Sequence, residues 1–233
     1  MLDLHTHILP SFDDGSKNPE ESVLLLQMLK QQGVDTLAAT PHFYSDVESV
    51  EHFLVRRNSS LEALKRVAPS DAPRLLVGAE VRFYDGISRL EGLSSLCIEG
   101  TKLLLLEMPF CKWTDFTLKE LTELSCSSEY TIVLAHIDRY LATQGIEVFA
   151  RLRENGILMQ MNCEFFNRVF TRSKAIKLLM EGFVSFIGSD CHNLNTRAPE
   201  MDKTISIIKR RVGNAIYKEF DSDCHNLLEN YKL

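Results

Sequence analysis

Short apolar runs alternate along this chain with longer amphipathic stretches, and this alternation restricts the fold more than any other feature. Each run has the length of a buried strand, and each amphipathic stretch has the length of a helix. Repeated strand–helix units predict a parallel sheet with right-handed crossovers. The predicted strands cover residues 2–6, 34–39, 74–79, 103–106, 130–135, 157–162 and 183–188.

The amphipathic stretches carry the signals of helix ends. Asn18, Pro19 and the acids Glu20 and Glu21 are typical of a helix N-terminus, and Gly33 follows as a stop. With a helix after each strand, the simplest architecture is a barrel. The predicted helices cover residues 19–32, 50–67, 86–93, 117–126, 145–154, 172–180 and 199–212.

The composition favours one globular domain over residues 1–233. With 45% apolar residues the chain can bury a core, and no repeat, low-complexity tract or linker divides it. A net charge of -6 argues against a nucleic-acid partner. No apolar run reaches membrane-spanning length, no signal-like segment precedes His5, and the six cysteines form no CxxC pair. We therefore expect a cytoplasmic protein with reduced thiols that is not inserted in a membrane. The sequence does not indicate an oligomeric state.

The predicted strands repeatedly end in a histidine or a carboxylate. His5 and His7 are two residues apart on an extended segment, so their rings point to the same side. Because parallel strands bring their carboxyl ends to one edge, we expect these donors to converge there, as a multi-metal hydrolase requires. The donors are His5, His7, His42, Glu80, Glu107, His136, Asp190 and His192.

Two further acids complete the predicted metal site. We expect one of Asp13 and Asp14 to be a metal ligand. The other would cap the turn at Gly15 or orient a histidine. Glu107 has an alternative interpretation as an ordinary rim acid. His52 and His225 lie on predicted helix and tail segments, and we interpret both as surface residues.

Nine donors exceed the coordination of a single ion, so two or three divalent ions are expected. A mixed set of imidazoles and carboxylates suits Mn²⁺, Fe²⁺ or Zn²⁺ better than Mg²⁺ or Ca²⁺. Leu106-Glu107 carries one of these donors, and six segments with specific spacing carry the others in order along almost the whole chain. They are Asp3-Leu4-His5-Thr6-His7, Asp13-Asp14-Gly15, Ala39-Thr40-Pro41-His42, Gly78-Ala79-Glu80, Ala135-His136-Ile137-Asp138-Arg139-Tyr140 and Gly188-Ser189-Asp190-Cys191-His192.

This ordered set resembles the polymerase and histidinol phosphatase superfamily and, within it, the bacterial capsule-associated manganese-dependent protein-tyrosine phosphatases. The resemblance implies a distorted (β/α)7 barrel with a trinuclear metal centre, Mn²⁺ being the expected metal. Cys191 departs from the alanine usual between the last two ligands. The implied ligands are His5, His7, Asp14, His42, Glu80, Glu107, His136, Asp190 and His192.

Arg139 and Arg197 follow the last ligand motifs and match arginines that hold phosphate in these enzymes. Guanidinium groups bind phosphate in a bidentate manner, although solvated loop arginines are the alternative. The expected mechanism is in-line attack on phosphorus by a metal-activated hydroxide. A histidine such as His42, or Asp138, is the candidate to assist the tyrosyl leaving group, whose pKa of about 10 demands little protonation.

The resemblance also implies a substrate, the phosphotyrosine-bearing tail of a bacterial tyrosine autokinase that regulates capsule or exopolysaccharide synthesis. Aromatic residues are candidates for the rim that receives such a tail, with ordinary packing as an equal alternative. The rim candidates are Phe43, Tyr44, Trp113, Phe165, Phe166 and Phe170.

Other functions remain open at this stage. A related phosphatase could act on a small phosphomonoester such as histidinol phosphate, and a metal-bound regulator without activity is a third reading. Cys191 and Arg197 also satisfy the Cys-x5-Arg spacing of thiolate-dependent tyrosine phosphatases. No glycine lies between them, and Asp190 next to the thiol would raise its pKa, so we interpret this match as accidental.

Overall fold

The computed structural model describes residues 1–232, and the end of the predicted domain, Leu233, lies outside the described residues. Within this part the chain is an α/β protein whose named strands all pair in parallel. The strands are β1 (Leu2–Thr6), β2 (Thr36–Ala39), β3 (His42–Phe43), β4 (Arg74–Val77), β5 (Glu80–Arg82), β6 (Leu103–Glu107), β7 (Thr131–Leu134), β8 (Leu158–Asn162) and β9 (Phe186–Gly188). Two sheets result, with the orders β1-β2-β4 and β3-β5-β6-β7-β8-β9.

Two interrupted strands curl the sheet. Pro41 cannot donate a ladder hydrogen bond, and it separates β2 from β3. Gly78 similarly separates β4 from β5. The first half of each pair belongs to one sheet and the second half to the other, so the two sheets continue into each other.

The last strand returns to the first. The amide of Asp190 donates to the carbonyl of His5 at 2.8 Å, and the amide of His7 donates to the carbonyl of Cys191 at 2.9 Å. These bonds bring the loop after β9 against the end of β1. The result is a curled parallel sheet, which confirms the predicted α/β class.

Most of the helices pack on the convex side of the sheet, and the last one also contacts its concave side. Asn18 caps the first helix as predicted, because its side chain accepts the amide of Glu21 at 2.8 Å. The predicted helix at 86–93 is instead two short 3₁₀ turns, Ile87–Arg89 and Leu93–Leu96. The helices are α1 (Pro19–Gln31), α2 (Val50–Lys65), α3 (Asp115–Ser125), α4 (Ile146–Glu154), α5 (Cys163–Asn167), α6 (Arg172–Met180), α7 (Met201–Val212) and α8 (Asn214–Asn230).

Helix α8 was missed in the sequence, which we interpreted there as a tail. Gly213, with a φ of 93°, breaks the chain between α7 and α8 and hides the second helix. The buried residues Tyr217, Cys224 and Leu228 have the spacing of a helix face. They pack the helix against the sheet, so the segment is a structural element.

A separate apolar cluster fills the concave side of the sheet. Six strands and α8 contribute to it, which places it inside the curl rather than under the outer helices. We call this set the inner cluster, and it includes Leu2, Leu4, Ala38, Leu76, Leu103, Leu105, Val133, Phe186, Cys224 and Leu228.

Strand β1 changes register along its length. Its pairing with β2 is irregular between Asp3 and Thr6. Leu2 and Leu4 lie in the inner cluster, whereas strict alternation would turn His5 and His7 to the opposite face. The irregularity re-aims both histidines, as strand bulges beside active sites do. None of the helices within residues 1–232 is long and apolar enough to cross a membrane.

Candidate metal centre

Glu80 lies at the middle of the converged donors. One of its oxygens, Oε2, is 3.3 Å from Nε2 of His5 and 3.3 Å from Nε2 of His7. The same oxygen is 2.9 Å from Nδ1 of His42, and Oε1 is 2.8 Å from Nε2 of His136. The carboxylate at the start of β5 therefore contacts four of the predicted histidines.

The two competing acids have different surroundings. Asp13 is bonded through both oxygens, accepting from Nδ1 of His7 at 2.8 Å and from the amides of Gly15 and His42 at 2.9 and 3.0 Å. Asp14 is 64% exposed, and its Oδ1 lies 3.3 Å from His42 and 3.4 Å from Nε2 of His192. The geometry therefore favours Asp14 as a ligand and Asp13 as the residue that orients His7.

The remaining donors follow three strands. Glu107 at the end of β6 places Oε1 3.3 Å from Nε2 of His136. His136 and Asp190 both have left-handed backbones, with φ of 31° and 52°, which are costly for residues other than glycine. Oδ1 of Asp190 lies 3.6 Å from Nδ1 of His192. Strained backbone at two donors is typical of a functional site.

Strand β8 contributes supporting residues that the sequence analysis missed. Oε1 of Gln160 lies 3.2 Å from Nδ1 of His5 and accepts the amide of His136 at 2.7 Å. Asn162 donates its side-chain amide to Asp190 at 2.9 Å. Two polar residues at alternate positions of an apolar strand were the available signal.

Several donor atoms lack hydrogen bonds within the protein and are placed where divalent ions could bind them. Nδ1 of His42 and Oε2 of Glu80 are buried 2.9 Å apart without forming a hydrogen bond, and Nε2 of His192 is buried without a hydrogen-bond partner among the described residues. Such orphaned polar atoms are costly unless a cation satisfies them. In three sets, donor atoms lie within 4.8 Å of one another, which suits two or three ions. These sets are His7, Asp14, His42 and His192; His5, His7 and Asp190; and His42, Glu80 and Glu107.

Without ions, the charges of the cluster are balanced by pairs of imidazoles and carboxylates. Burial alone would lower the pKa of His7, but hydrogen bonds and charges from Asp13 and Glu80 raise it to about 10. Burial and the nearby charge of His7 lower the pKa of His192 to about 4. Although burial opposes ionisation, the surrounding histidines hold the pKa of Glu80 well below its ordinary value. The ionised carboxylates are thus stabilised by protonated imidazoles, and bound cations would take the place of those protons.

Both predicted arginines reach this site. Nη2 of Arg197 lies 2.8 Å from Oδ1 of Asp190, and Arg139 pairs with the other oxygen of the same carboxylate. Their side chains are 38% and 36% exposed, so part of each guanidinium faces solvent. Both also line a cavity of about 530 Å³ at the mouth of the site, together with His42, Tyr44, Glu80, Arg82, Glu107, Met108, Pro109, Phe110 and Asp190.

Asp138 and Cys191 are placed away from that cavity. Asp138 accepts the amide of Asn162 at 2.9 Å and is absent from the cavity wall, so its role as a proton donor stays a prediction. Cys191 is fully buried in the apolar core, and burial raises the pKa of its thiol. This position does not suit an attacking thiolate.

The rim aromatics separate into core and surface residues. Phe43, Trp113 and Phe166 are buried in the core, so for these three residues the alternative of ordinary packing holds and the rim position does not. Tyr44 lines the cavity as predicted. Phe110 also lines it and was missed, because the pattern Met108-Pro109-Phe110 is typical of an ordinary loop.

Comparison with known families shows to which family the chain belongs. Residues 1–228 match the family model for capsular polysaccharide synthesis proteins CpsB/CapC. The chain belongs to the CpsB/CapC family. The resemblance to capsule-associated phosphatases, predicted from the ordered motifs, is confirmed.

Relatives in this family carry phosphatase names. The chain is 32% identical to the tyrosine-protein phosphatase CpsB of Streptococcus pneumoniae, with 96% of each chain covered. It is 26% identical to the tyrosine-protein phosphatase YwqE of Bacillus subtilis, over 100% of this chain and 93% of that protein. It is 30% identical to a putative tyrosine-protein phosphatase CapC of Staphylococcus aureus, covering 100% and 90%.

A solved structure shares the fold. It comes from crystal structures of YwqE from Bacillus subtilis and CpsB from Streptococcus pneumoniae, described as unique metal-dependent tyrosine phosphatases. The TM-score is 0.81 at 24% sequence identity, covering 100% of this chain and 96% of that chain. This likeness supports the curled α/β architecture.

Proposed function

We propose that this protein is a metal-dependent protein-tyrosine phosphatase. One observation carries the proposal: the nine predicted donors converge beside Arg139 and Arg197, and both arginines line the cavity at the mouth. A site for divalent ions next to two guanidinium groups suits the binding of a phosphate dianion. The phosphatase names of relatives that cover almost the whole chain support the same activity.

The chain's own residues divide the work. The proposed ligands are His5, His7, Asp14, His42, Glu80, Glu107, His136, Asp190 and His192. Divalent ions, when bound, supply Lewis acidity and activate water toward phosphorus. Arg139 and Arg197 donate to the phosphate oxygens and stabilise the charge that develops on them. Asp190 holds both guanidinium groups in place through its two oxygens.

The tyrosyl leaving group needs little protonation by the protein. A tyrosyl oxygen has a pKa of about 10, so its departure needs less protonation than that of an alkyl alcohol. His42, 17% exposed at the cavity wall, is one of the two predicted proton donors, but in this proposal it serves as a metal ligand instead. Asp138 is bonded to the backbone of Asn162, and we propose that it shapes the loop carrying Arg139.

Several finer features are part of the proposal. We take Mn²⁺ as the ion and the phosphotyrosine tail of a bacterial tyrosine autokinase as the substrate, in keeping with the capsule-synthesis family. The protein would work in the cytoplasm as a single domain over residues 1–233. Its nine strand segments would occupy the seven positions of a distorted (β/α)7 barrel, two of them interrupted.

A comparison of substrates tests the proposal. Purified protein with added Mn²⁺ is assayed with p-nitrophenyl phosphate, a phosphotyrosine peptide and histidinol phosphate. We expect turnover of the peptide to exceed that of histidinol phosphate, and chelation to abolish both. Preference for histidinol phosphate would identify a small-molecule phosphatase, and absence of turnover with ions bound would identify a binding protein.

A further inference from the structure

Two aromatic rings lie at the mouth of the metal centre, each against a different histidine. The ring of Phe110 is 5.8 Å from that of His136 with an angle of 28° between the planes. The ring of Tyr44 is 5.4 Å from that of His42 with an angle of 20°. Because both histidines contact Glu80, the two stacked rings flank the centre of the donor cluster.

Phe110 is held in place although it is exposed. Its side chain is 59% exposed, which is ordinary for a single surface phenylalanine. Its ring also stacks on Tyr140 at 5.7 Å and 26°, and the guanidinium carbon of Arg139 lies 5.8 Å from its centre. Because three neighbours already fix the ring, it loses little further conformational freedom when a ligand covers it.

The ring lines the same cavity as the groups that would hold the phosphate. That cavity, of about 530 Å³, is lined by Phe110 and Tyr44 on the one hand and by Arg139, Arg197 and Asp190 on the other. A phosphate held by Arg139 and Arg197 in this cavity would therefore have its ester group beside aromatic surface. Aromatic surface discriminates between a phenyl ester and a short alkyl ester, because only the former has a ring to stack.

We infer that Phe110 and Tyr44 form an aromatic cleft that binds the ring of an aryl phosphate, with Phe110 as the main determinant of selectivity over alkyl phosphates. The inference rests on the proposed phosphatase function and assigns its substrate preference to these two side chains. Stacking beyond simple area burial corresponds to about a two- to tenfold change in affinity. The cleft accounts for selectivity without a contact to the peptide backbone.

A pair of small anions isolates the contribution of the ring. Phenylphosphonate and methylphosphonate carry the same charged group and differ in the phenyl ring. Their dissociation constants are measured by calorimetry with the Mn²⁺-loaded protein, and kcat/KM is measured for a phosphotyrosine peptide. The first readout needs no turnover, so binding and catalysis are tested separately.

Phe110→Ala is the decisive variant, and the chain offers a matched control. We expect Phe110→Ala to reduce the binding advantage of phenylphosphonate about three- to tenfold and to lower kcat/KM for the peptide through KM. Phe110→Tyr should restore both values. Phe116 is 61% exposed, close to Phe110, but does not line the cavity, so Phe116→Ala should change neither.

The outcomes separate this inference from the proposed function. An unchanged advantage of phenylphosphonate in Phe110→Ala would overturn the cleft while leaving the phosphatase intact. An equal loss of affinity for both phosphonates would also overturn it, since the ring would then act on the phosphate site. If the advantage depends on Phe110 but no peptide is hydrolysed, the cleft stands and the phosphatase function fails.

Discussion

The concave side of the sheet has an apolar half, the inner cluster, and a polar half, the metal-ligand donors. The same strands contribute residues to both halves. On β6, Leu103 and Leu105 belong to the inner cluster, and Glu107, two residues further on, belongs to the donor cluster. On β1, Leu4 lies in the inner cluster and His5 among the donors. One half is filled by packed apolar side chains, and the other contains buried polar atoms without hydrogen-bond partners among the described residues.

This difference separates stability from function along single strands. Apolar packing lowers the free energy of the folded state with no ligand present. Buried unpaired polar atoms raise it until a cation binds. We therefore expect substitutions in the first half to change unfolding and substitutions in the second to change metal binding and turnover.

The largest effect is expected at Glu80. Glu80→Gln removes a charge that contacts four histidines, so metal affinity and turnover of p-nitrophenyl phosphate should both fall by more than about 100-fold. Metal per chain is measured by elemental analysis beside the rate. Glu154→Gln, at the exposed end of α4, is the control and should retain both. Full metal content in Glu80→Gln would remove this residue from the ligand set.

A pair of substitutions on β6 tests the contrast directly. Leu105 is fully buried, and Leu105→Ala should lower the free energy of unfolding by about 2–5 kcal/mol in urea titrations. Glu107→Gln should leave the stability of the metal-free protein within about 1 kcal/mol, since the amide is isosteric. It should weaken metal binding. The contrast fails if Glu107→Gln destabilises the metal-free protein as much as Leu105→Ala.

A smaller effect is expected at Cys191. Cys191→Ala removes one buried atom, which should cost about 1 kcal/mol of stability and leave turnover within about threefold. The rate and the metal content are measured together. Complete loss of turnover with the ions still bound would make the thiol a nucleophile, against its burial.

The smallest effect concerns a histidine outside the donor cluster. His225 on α8 is 37% exposed, and its Nε2 lies 2.9 Å from Oδ1 of Asp35. Burial would lower the pKa of His225, but the carbonyl of Asp221 and the carboxylate of Asp35 raise it. The ion pair of protonated His225 with Asp35 therefore stabilises the folded state fully below the ordinary histidine pKa of about 6.5. This stabilisation is lost as the pH rises through the raised pKa of His225.

His225→Gln tests this sign. The difference in urea midpoint from the parent protein should be larger at pH 6 than at pH 9, and should correspond to less than about 1 kcal/mol because the pair is partly exposed. Turnover should not change. An equal difference at both pH values would show that the charge of His225 has no role.

The sequence predicted the donors better than their surroundings. Strand ends are encoded locally, because an apolar run followed by a histidine or carboxylate fixes both the element and its edge. Gln160, Asn162 and Phe110 were missed because their roles depend on neighbours distant in sequence, such as His5, Asp190 and His136. Spacing marks Gln160 and Asn162 as polar residues on one face of a strand, but it does not identify the partners of any of the three residues.

The same limit applied to the fold. The parallel α/β class followed from alternation, but the interruptions at Pro41 and Gly78 and the irregular pairing of β1 depend on how neighbouring strands meet. Helix α8 was hidden by Gly213 and is recognised by its packing on the inner cluster. The preference for Asp14 over Asp13 as a ligand rests on their partners, which the sequence does not reveal.

The most direct test is a metal analysis of the purified protein by elemental analysis and anomalous scattering. The arrangement of donors predicts two or three divalent ions per chain among His5, His7, Glu80 and their neighbours, with turnover lost on chelation and restored by Mn²⁺. A protein that binds no ions there, or that hydrolyses phosphotyrosine unchanged in excess chelator, would contradict the account.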